Sequence, residues 1–348
     1  MKTPSQCLNQ LLSGEDLNEA EAADLMEAMA SGELAPALAG GLLIALRTKG
    51  ETAAEIRGFA TKMRELSIRP DLPAELVDAG PCVDIVGTGG DGSKSLNLST
   101  GAALVTAATG VTVIKHGNRA VSSDSGSADV LTALGLSVPL DPAQVIASLA
   151  ALKFTFLFAP SYHPAMKHIA PVRAALGVRT LFNILGPLAN PAQPDFSVIG
   201  AFSVEMAQLM ANTLSGMAMK RAFVIHGEPG WDEATPVGPF HVFEVTPGEV
   251  SHRVVDPLDL GLPRCTADDL KGGDGAYNAR RLAAVLEGSE TGPHRDALVL
   301  GAALALEVTG TADDLAGGIA MADNALQQGA GKQLLGKLQQ LGSSDSDG

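Results

Sequence analysis

Two loops rich in glycine and hydroxyl side chains lie close together in this sequence of 348 residues. The first covers residues 87–92 (GTGGDG), and the second covers residues 115–129 (KHGNRAVSSDSGSAD). Glycine lets backbone N–H groups approach an anion closely, and serine and threonine hydroxyls add short hydrogen bonds. Lys115 and Arg119 bring positive charge into a chain whose formal net charge is −15. This combination predicts a ligand that carries phosphate.

The first loop continues into residues 93–100 (SKSLNLST), which precede an apolar helical pattern. A helix start offers free N–H groups and the positive end of the helix dipole, and together these bind phosphate. The spacing fits neither the GxGxxG dinucleotide fingerprint nor the GxxxxGK[ST] P-loop. Two simpler interpretations stay open: the glycines form only a tight turn, and Ser99 and Thr100 are only N-caps.

The second loop directly follows a strand pattern. Lys115 and Arg119 could form only a solvated charged face, but both lie within a cluster of glycine and serine, where isolated surface charges are unusual. Asp129 fits a helix start or a hydrogen-bonding position better than it fits a catalytic acid. The second loop is therefore predicted to share the phosphate ligand with the first.

A third candidate is the acidic pair Asp232–Glu233, within HGEPGWDEATP. Adjacent carboxylates in a loop are usually solvated surface charge. A polyphosphate ligand, however, commonly arrives with magnesium, which takes one or two protein carboxylates together with substrate oxygens and water. Asp91 and Ser99 could complete such a shell.

A fourth candidate is Arg173, which lies among small apolar residues in a predicted helix. Such an arginine either extends its charged end to solvent or binds an anionic ligand such as a carboxylate. His163, His168 and His226 are too isolated in sequence for a metal triad, and the serines lack the GxSxG nucleophile motif.

The elements that position these residues follow from the apolar periodicity. Strands are predicted at residues 83–86, 111–114, 155–158, 196–199, 222–225 and 241–245, and helices at 97–109 and 127–134 and from Asp141–Pro142 onward. Such alternation predicts a mainly parallel sheet flanked by helices with right-handed crossovers. Both glycine-rich loops then fall at carboxyl ends of strands, where α/β proteins bind ligands.

Before the first strand, residues 5–67 show the pattern of successive amphipathic helices separated by Gly14, Gly32 and Gly50. Asn18 followed by Glu21 predicts a capping box, and Asp16 adds a second helix-start signal. The proline-containing residues 68–81 are predicted to be a linker. We therefore predict a helical domain at residues 1–70, with the helical stretch 165–185 packing on it, an α/β domain at 81–340, and a disordered tail at 343–348.

Composition limits the function classes. A pI near 4.8 disfavours a general nucleic-acid binder, since few basic residues are available to neutralise phosphates. The longest apolar run, near residues 101–114, is too short to cross a bilayer, which predicts no membrane partner. Three widely spaced cysteines favour a reducing cytoplasm over a disulfide framework.

Four stretches, taken in order, closely resemble the anthranilate phosphoribosyltransferases over nearly the whole chain. They match GTGGDG…NxST, KHGNRxVSSxSGSAD, HPAMKxxAPVRxxLGxRTxFNxLGPLxNP and HGxxGxDE. The resemblance implies a nucleoside phosphorylase/phosphoribosyltransferase-like fold, with a small N-terminal helical domain, a larger mainly parallel-sheet α/β domain, a cleft at their junction and a homodimer through the helical part. It also implies transfer of phosphoribosyl from phosphoribosyl pyrophosphate (PRPP) to anthranilate with Mg²⁺, the second step from chorismate to tryptophan.

The resemblance further implies which residues bind the substrates. They are Gly87, Gly90, Asp91, Ser95, Asn97, Leu98, Ser99, Thr100, Lys115, His116, Gly117, Asn118, Arg119, Ala120, Val121, Ser122, Ser123, Ser127 and Arg173. The magnesium ligands would be Ser99, Asp232 and Glu233. Arg173 would pair with the anthranilate carboxylate, and Lys115 would act electrostatically, with no general base.

The sequence departs from the family pattern in two places. Ser95–Leu96 replaces the usual Thr-Phe, which keeps a hydroxyl; Trp231 replaces Leu, and residues 234–236 replace Ile-Ser-Leu, which leaves the shape of that loop open. Two alternative functions stay open: a pyrimidine nucleoside phosphorylase, which shares the fold, and a nucleic-acid-binding relative without the transferase activity. The acidic pI and the retained Asp232, Glu233 and Arg173 disfavour the second.

Overall fold

The computed structural model describes residues 2–120 and 124–343. Its helices are α1 (Pro4–Leu12), α2 (Glu19–Ser31), α3 (Pro36–Lys49), α4 (Ala53–Glu65), α5 (Ala74–Val77), α6 (Leu98–Ala108), α7 (Ser127–Leu134), α8 (Pro142–Leu152), α9 (Ala159–Tyr162), α10 (Met166–Leu176), α11 (Phe182–Leu185), α12 (Val204–Leu214), α13 (Gly275–Leu286), α14 (Pro293–Val308), α15 (Leu315–Gln327) and α16 (Ala330–Ser343). Its strands are β1 (Cys82–Gly87), β2 (Thr112–Gly117), β3 (Phe154–Phe158), β4 (Phe196–Gly200), β5 (Arg221–Gly227), β6 (Phe240–Thr246) and β7 (Glu249–Val255). Residues 344–348 of the predicted tail lie outside the described residues.

The first four helices begin and end where the sequence signals them. The predicted capping box of α2 is confirmed, because Asn18 Oδ1 accepts a hydrogen bond from the Glu21 N–H at 2.9 Å and the Glu21 carboxylate accepts one from the Asn18 N–H at 3.0 Å. Gly32 ends α2 in the left-handed conformation, with φ of +78°. Asp16 does not cap a helix; its carboxylate instead accepts from Lys49 Nζ at 2.6 Å.

The sheet has seven strands in the order β3-β2-β1-β4-β5-β6-β7. Strands β1 to β5 pair in parallel, and β6 and β7 extend the sheet in the antiparallel sense. The predicted mainly parallel sheet is confirmed, and so are the six predicted strands. Strand β7 was not predicted, because it is an edge strand that alternates exposed and half-buried residues and lacks an apolar run.

Helices cover both faces of the sheet. One face packs against α6, α7 and α13 to α16 in an apolar core that includes Leu104 and Leu300. The other face shares what we call the bundle-side core, which joins the N-terminal helices to the sheet and includes Phe59, Phe182 and Phe243. Helix α10 contacts α2 and α3. The helical pattern predicted for residues 165–183 is interrupted at Gly177, which ends α10 with φ of +62°.

Strand order places a crevice beside β1. The chain runs from β1 outward to β2 and β3, and then returns to β4 on the other side of β1. Such a switch point is where open α/β sheets bind ligands, at the carboxyl ends of the strands. Gly87 and Gly200, the last residues of β1 and β4, are in register there. In the part of the chain that the structure describes, no helix is long and apolar enough to cross a membrane.

Candidate active site

The acidic loop after β5 lies directly over the ends of β1 and β4. A Cβ atom on Gly200 would stand 1.5 Å from the Asp232 carbonyl oxygen, and one on Gly87 would stand 2.4 Å from Asp232 Oδ2. Only glycine at these two strand ends lets Asp232 approach so closely. The structure therefore brings the predicted metal ligand Asp232 to the first glycine-rich loop.

Trp231 and Ala234, where the sequence departs from the family pattern, are both buried in the core below this loop. The Trp231 N–H donates to the Gly227 carbonyl at 2.8 Å, and the Gly227 N–H donates back to the Trp231 carbonyl at 2.9 Å. The loop is thus closed at its base by a pair of backbone hydrogen bonds, and the unusual tryptophan fills the apolar side beneath it.

Three carboxylates crowd together at this point. The Gly89 N–H donates to Asp232 Oδ2 at 2.6 Å, and the Asp232 N–H donates to Asp91 Oδ2 at 3.4 Å. Burial raises the pKa of Asp232 and of Glu233, and the negative charge of Asp91 raises both further. These side chains are not solvated surface charge; a cation bound between them would relieve their repulsion.

Glu233 caps the helix that follows the first loop. The Ser99 N–H donates to Glu233 Oε1 at 3.1 Å, and the Ser95 hydroxyl donates to Oε2 at 3.2 Å. Helix α6 has Asn97 at its N-cap position, and no side-chain cap bond is made from that residue. The interpretation of Ser99 and Thr100 as simple N-caps is therefore wrong, since a carboxylate from a distant loop binds the helix start.

The hydroxyls of Ser99 and Thr100, in the first turn of α6, bond to β2 and to the start of α7. Thr100 Oγ1 donates to Ser127 Oγ at 3.1 Å, across to the start of α7. The Ser99 hydroxyl accepts from Lys115 Nζ at 3.4 Å. Leu98 differs from these two, because its side chain is buried in the apolar core and only its backbone faces the loop.

Lys115 lies in β2 with 1% of its side chain exposed, which is exceptional for lysine. Its ammonium group donates to the Ile85 carbonyl as well as to Ser99. Burial lowers the pKa of Lys115, whereas the negative charges of Asp84 and Glu233 raise it. A buried lysine between two glycine-rich loops is not part of a solvated charged face.

Asp84 is a buried carboxylate that interacts electrostatically with this lysine and was not predicted from the sequence. It accepts from the His116 N–H at 3.3 Å and from Asn190 Nδ2 at 2.9 Å. Burial raises the pKa of Asp84 to about 6, and the charge of Lys115 opposes that rise. The signal was available: an acidic residue in the middle of the apolar strand CVDIVG needs a buried partner.

The second loop is held by Asp129, as a helix-start residue rather than a catalytic acid. Its Oδ2 accepts from the N–H groups of Ala120 and Gly126, both at 2.9 Å, and its Oδ1 accepts from Arg119 Nη1 at 3.1 Å. Arg119 also lies over the Phe158 ring, 5.9 Å from its centroid. The Arg119 guanidinium is therefore engaged within the loop.

The rest of the second loop is only partly described. The Asn118 carbonyl accepts from the Ala128 N–H at 3.2 Å, and its side-chain oxygen accepts from the Arg119 N–H at 2.8 Å. Gly117 ends β2, with room so limited that a Cβ would stand 2.9 Å from the Phe156 ring. Val121, Ser122 and Ser123 were predicted to bind the substrate and lie outside the described residues.

His116 stacks edge-on against His163, with ring centroids 5.1 Å apart. Burial lowers the pKa of His116 to about 3 and that of His163 to about 4. Both rings are therefore neutral at physiological pH. Their Nε2 atoms are buried without a hydrogen-bond partner among the described residues.

Arg173 lies in α10, the helix that packs on α2 and α3. Its guanidinium stands over the Phe182 ring, 5.6 Å from the centroid, and burial lowers its pKa. Within residues 2–120 and 124–343, the guanidinium has no hydrogen-bond acceptor and no ion-pair partner. A half-buried cation in this state fits an anionic ligand such as a carboxylate.

Arg179 is a second arginine of this region that the sequence analysis did not single out. Its guanidinium donates to the Gly90 carbonyl and lies over the Phe202 ring, 4.8 Å from the centroid. Arg47 of α3 in turn donates to the Arg179 carbonyl at 2.7 Å. The first glycine-rich loop is thus linked to the N-terminal helices through Arg179.

The residues present fit a magnesium ion that is shared with a ligand. Among the described residues, no group of three or more histidine, cysteine, aspartate or glutamate side chains is placed to hold a metal alone. Magnesium is commonly bound by one or two carboxylates together with substrate phosphates and water. Asp232 supplies a buried carboxylate and Glu233 a half-buried one beside the first glycine-rich loop, and a bound polyphosphate would supply the remaining oxygens.

The chain resembles known proteins in its family models, its sequence and its structure. Models described as the helical bundle domain and the a/b domain of a glycosyl transferase family match residues 5–67 and 79–332. The anthranilate phosphoribosyltransferase of Rhodospirillum rubrum is 49% identical, covering 94% of this chain and 92% of that one.

Solved structures of anthranilate phosphoribosyltransferases are similar to this chain over nearly its whole length. The anthranilate phosphoribosyltransferase of Thermus thermophilus superposes with a TM-score of 0.88 at 43% identity, covering 97% of this chain and 99% of that one. The Saccharomyces cerevisiae enzyme, solved in complex with PRPP and Mg, gives 0.87 at 26% identity and 98% coverage of both chains. The same yeast enzyme was also solved with 4-fluoroanthranilate, and that structure gives 0.85 at 25% identity, covering 98% of this chain and 99% of that one.

Proposed function

The chain belongs to the glycosyl transferase family and, within it, to the anthranilate phosphoribosyltransferases, and from this premise we propose how its residues divide the work of the reaction. The enzyme transfers the phosphoribosyl group from PRPP to the amine of anthranilate and releases pyrophosphate, a step of tryptophan biosynthesis. The observation that carries the assignment of roles is the meeting of Lys115 and Glu233 on Ser99 at the start of α6, with Asp232 bonded to the first glycine-rich loop beside them.

The pyrophosphate end of the donor lies on the first loop. Gly87 and Gly90 let Asp232 and Arg179 approach this loop closely, and the backbone and hydroxyls of residues 95–100 supply donors at the start of α6. Asp232, Glu233 and the Ser99 hydroxyl hold Mg²⁺, whose chemistry here is neutralisation of the negative charge on pyrophosphate. The crowding of Asp232 and Glu233 with Asp91 supports this assignment.

Lys115 stabilises the same charge with its buried ammonium group. The anomeric carbon loses pyrophosphate through an oxocarbenium-like state, so negative charge develops on the leaving group. A buried ammonium that is fixed by Ile85 and Ser99 needs no reorganisation when that charge appears. Lys115 is therefore the electrostatic catalyst of the step.

The ribose and its 5-phosphate lie between the two loops. Asn97, Thr100 and Ser127 connect the start of α6 to the start of α7, and Ser122 and Ser123 belong to the same predicted surface. Holding the ribose between two helix starts fixes the reacting carbon relative to the incoming amine.

Anthranilate binds on the side of α10. Arg173, which has no acceptor among the described residues, pairs with the carboxylate, and Asn118 and the neutral His116 face the ring. An aromatic amine already carries a free lone pair, so the site requires no general base. The absence of a positive charge on His116 keeps the pocket suited to an uncharged ring and amine.

Three broader assignments are proposals that rest on the family. A homodimer forms through the helical part, where Leu12 of α1 is 69% exposed. The enzyme is cytoplasmic, in accord with three free cysteines in the described structure. The cleft lies between domains at residues 1–70 and 81–340, with residues 165–185 on the helical side.

The reaction is tested by following anthranilate fluorescence after addition of the enzyme, PRPP and Mg²⁺. The signal falls only when all three are present, and chelation of the metal stops the fall. A signal that falls without PRPP, or that persists with all components, contradicts the transferase assignment. A parallel incubation with pyrimidine nucleoside and inorganic phosphate yields no free base, whereas release of base would identify a phosphorylase.

A further inference from the structure

Asn278 lies in α13 with 1% of its side chain exposed, far along the chain from both phosphate loops. It follows the segment 271–275 (KGGDG), which packs on the first loop. In that contact the Leu96 N–H donates to the Leu270 carbonyl at 3.0 Å, and the Gly272 N–H donates to the Lys94 carbonyl at 2.9 Å. The segment therefore forms one wall of the loop that binds the donor.

The Asn278 side chain joins this wall to Asn97. Its Oδ1 accepts from the Gly273 N–H at 2.7 Å, and its Nδ2 donates to Asn97 Oδ1 at 2.8 Å. Asn97 Nδ2 in turn donates to the Ser125 carbonyl in the second loop at 3.0 Å. One continuous line of hydrogen bonds thus runs from the 271–275 segment through the start of α6 to the second glycine-rich loop.

The orientation of Asn97 depends on these two bonds. Asparagine at an N-cap position usually bonds its own helix start, yet Asn97 makes no such bond, because Glu233 binds the Ser99 N–H instead. A primary amide has two N–H donors and two oxygen lone pairs. Asn97 uses one donor on Ser125 and one lone pair on Asn278, which leaves one of each for a ligand.

We propose that Asn278 is a positioning residue for the phosphoribosyl donor, and that it acts by fixing the amide of Asn97 between the two loops. This inference rests on the proposed function, since it assigns the donor rather than anthranilate to that place. Without the Asn278 donor, the Asn97 amide is free to turn over, and its remaining N–H and lone pair exchange places.

The test variant is Asn278→Asp. It keeps the volume and the acceptor for the Gly273 N–H, but it sets a carboxylate oxygen against Asn97 Oδ1. We expect the KM for PRPP to rise about 5- to 100-fold, as for loss of a buried hydrogen bond at a binding group, while the KM for anthranilate stays within about twofold. Calorimetric titration with PRPP and Mg²⁺ gives the same ratio without turnover.

The matched control is Arg281→Ala on the same helix. The Arg281 guanidinium pairs with Glu290 Oε2 at 2.6 Å and is not bonded to Asn97. Its loss releases α13 from Glu290, lowers the melting temperature and leaves the KM for PRPP unchanged. An equal rise in KM in both variants means that Asn278 has only a structural role, and that result overturns the proposal.

A double-mutant cycle separates action through Asn97 from any other route. In an Asn97→Ala background, Asn278→Asp adds less than about twofold to the KM for PRPP; fold-changes that multiply fully overturn the proposal. If Asn278→Asp does not fold, Asn278→Ser is measured in the same cycle, with the same two outcomes. Failure of the proposed function is distinct, because the wild-type enzyme would then show no PRPP-dependent loss of anthranilate.

Discussion

Two carboxylate sites in this molecule, one around Glu55 and one around Asp232 and Glu233, differ in how their charge is satisfied. In the N-terminal helices, Glu55 is fully buried, and it accepts from the Leu17 N–H at 2.9 Å, the Thr52 N–H at 2.8 Å and Lys49 Nζ at 3.0 Å. In the crevice, Asp232 and Glu233 accept from backbone N–H groups and lie beside Asp91. Neither of them forms an ion pair within the described residues.

This difference separates a charge that stabilises the fold, on Glu55, from charges whose arrangement suits a ligand, on Asp232 and Glu233. A buried carboxylate with a cation and two N–H donors is complete, so it ties its helices together. Neighbouring carboxylates without a cation are incomplete, and burial, followed by the charge of the neighbouring carboxylates, raises the pKa of Asp232 and of Glu233. Folding alone does not require the second arrangement, which is consistent with the cation site proposed above.

The largest effect is expected at Glu55, and it is an effect on the free energy of unfolding. Glu55→Ala leaves Lys49 buried without its inner partner and lowers the free energy of unfolding by about 3–5 kcal/mol. The KM values of the remaining folded enzyme stay unchanged, as measured after urea titration has defined the folded fraction. Asp16→Ala, which removes the exposed partner of the same lysine, costs less than about 1 kcal/mol. Equal losses in the two variants would show that Glu55 is not the partner that holds Lys49.

At Asp232 and Glu233 we expect the opposite pattern, in which substitution lowers activity and leaves stability unimpaired. Asp232→Asn combined with Glu233→Gln lowers turnover at limiting Mg²⁺ about 10²-fold, equivalent to about 2.7 kcal/mol. The free energy of unfolding stays the same or rises, because the repulsion with Asp91 is removed. Glu228→Gln, an exposed acid of the same loop, changes neither quantity. An unaltered magnesium dependence in the double variant would refute the metal assignment.

The smallest of the three effects is expected at Arg173, whose guanidinium has no acceptor among the described residues. Arg173→Ala raises the KM for anthranilate about tenfold, which corresponds to about 1.4 kcal/mol, since the carboxylate loses its partner. The KM for PRPP stays within about twofold, and Arg173→Lys recovers part of the loss. Steady-state kinetics in which only the KM for PRPP changes would place Arg173 on the donor side instead.

Local signals in the sequence were sufficient for most of the elements. The capping box at Asn18 and the Asp141–Pro142 start of α8 appear as predicted, because caps and apolar periodicity act over a few residues. Strand β7 escaped prediction because an edge strand buries little, although the turn at Pro247–Gly248 between two valine-containing stretches could have indicated a hairpin.

The candidate site was predictable only in part. Glycine, serine and lysine in short loops mark a phosphate site by their local composition, and the family motifs named the rest. Asp84, Asn278 and Arg179 did not emerge, because their partners are distant in sequence and the contacts exist only once the strand order is known. An acidic residue inside an apolar strand was the one local signal for Asp84.

The bundle-side core has a consequence for the order in which the protein is made. Phe59 of α4 packs edge-on against Phe182 at 6.3 Å, and the same core continues to Phe243 and Val245 in β6. On the ribosome, α1 to α4 therefore emerge with an apolar face whose partners do not yet exist. At about 5–20 residues per second, the roughly 180 residues from the end of α4 to the end of β6 take on the order of 10–35 s to synthesise. During that interval the nascent helices need a chaperone or one another to keep that face from aggregating.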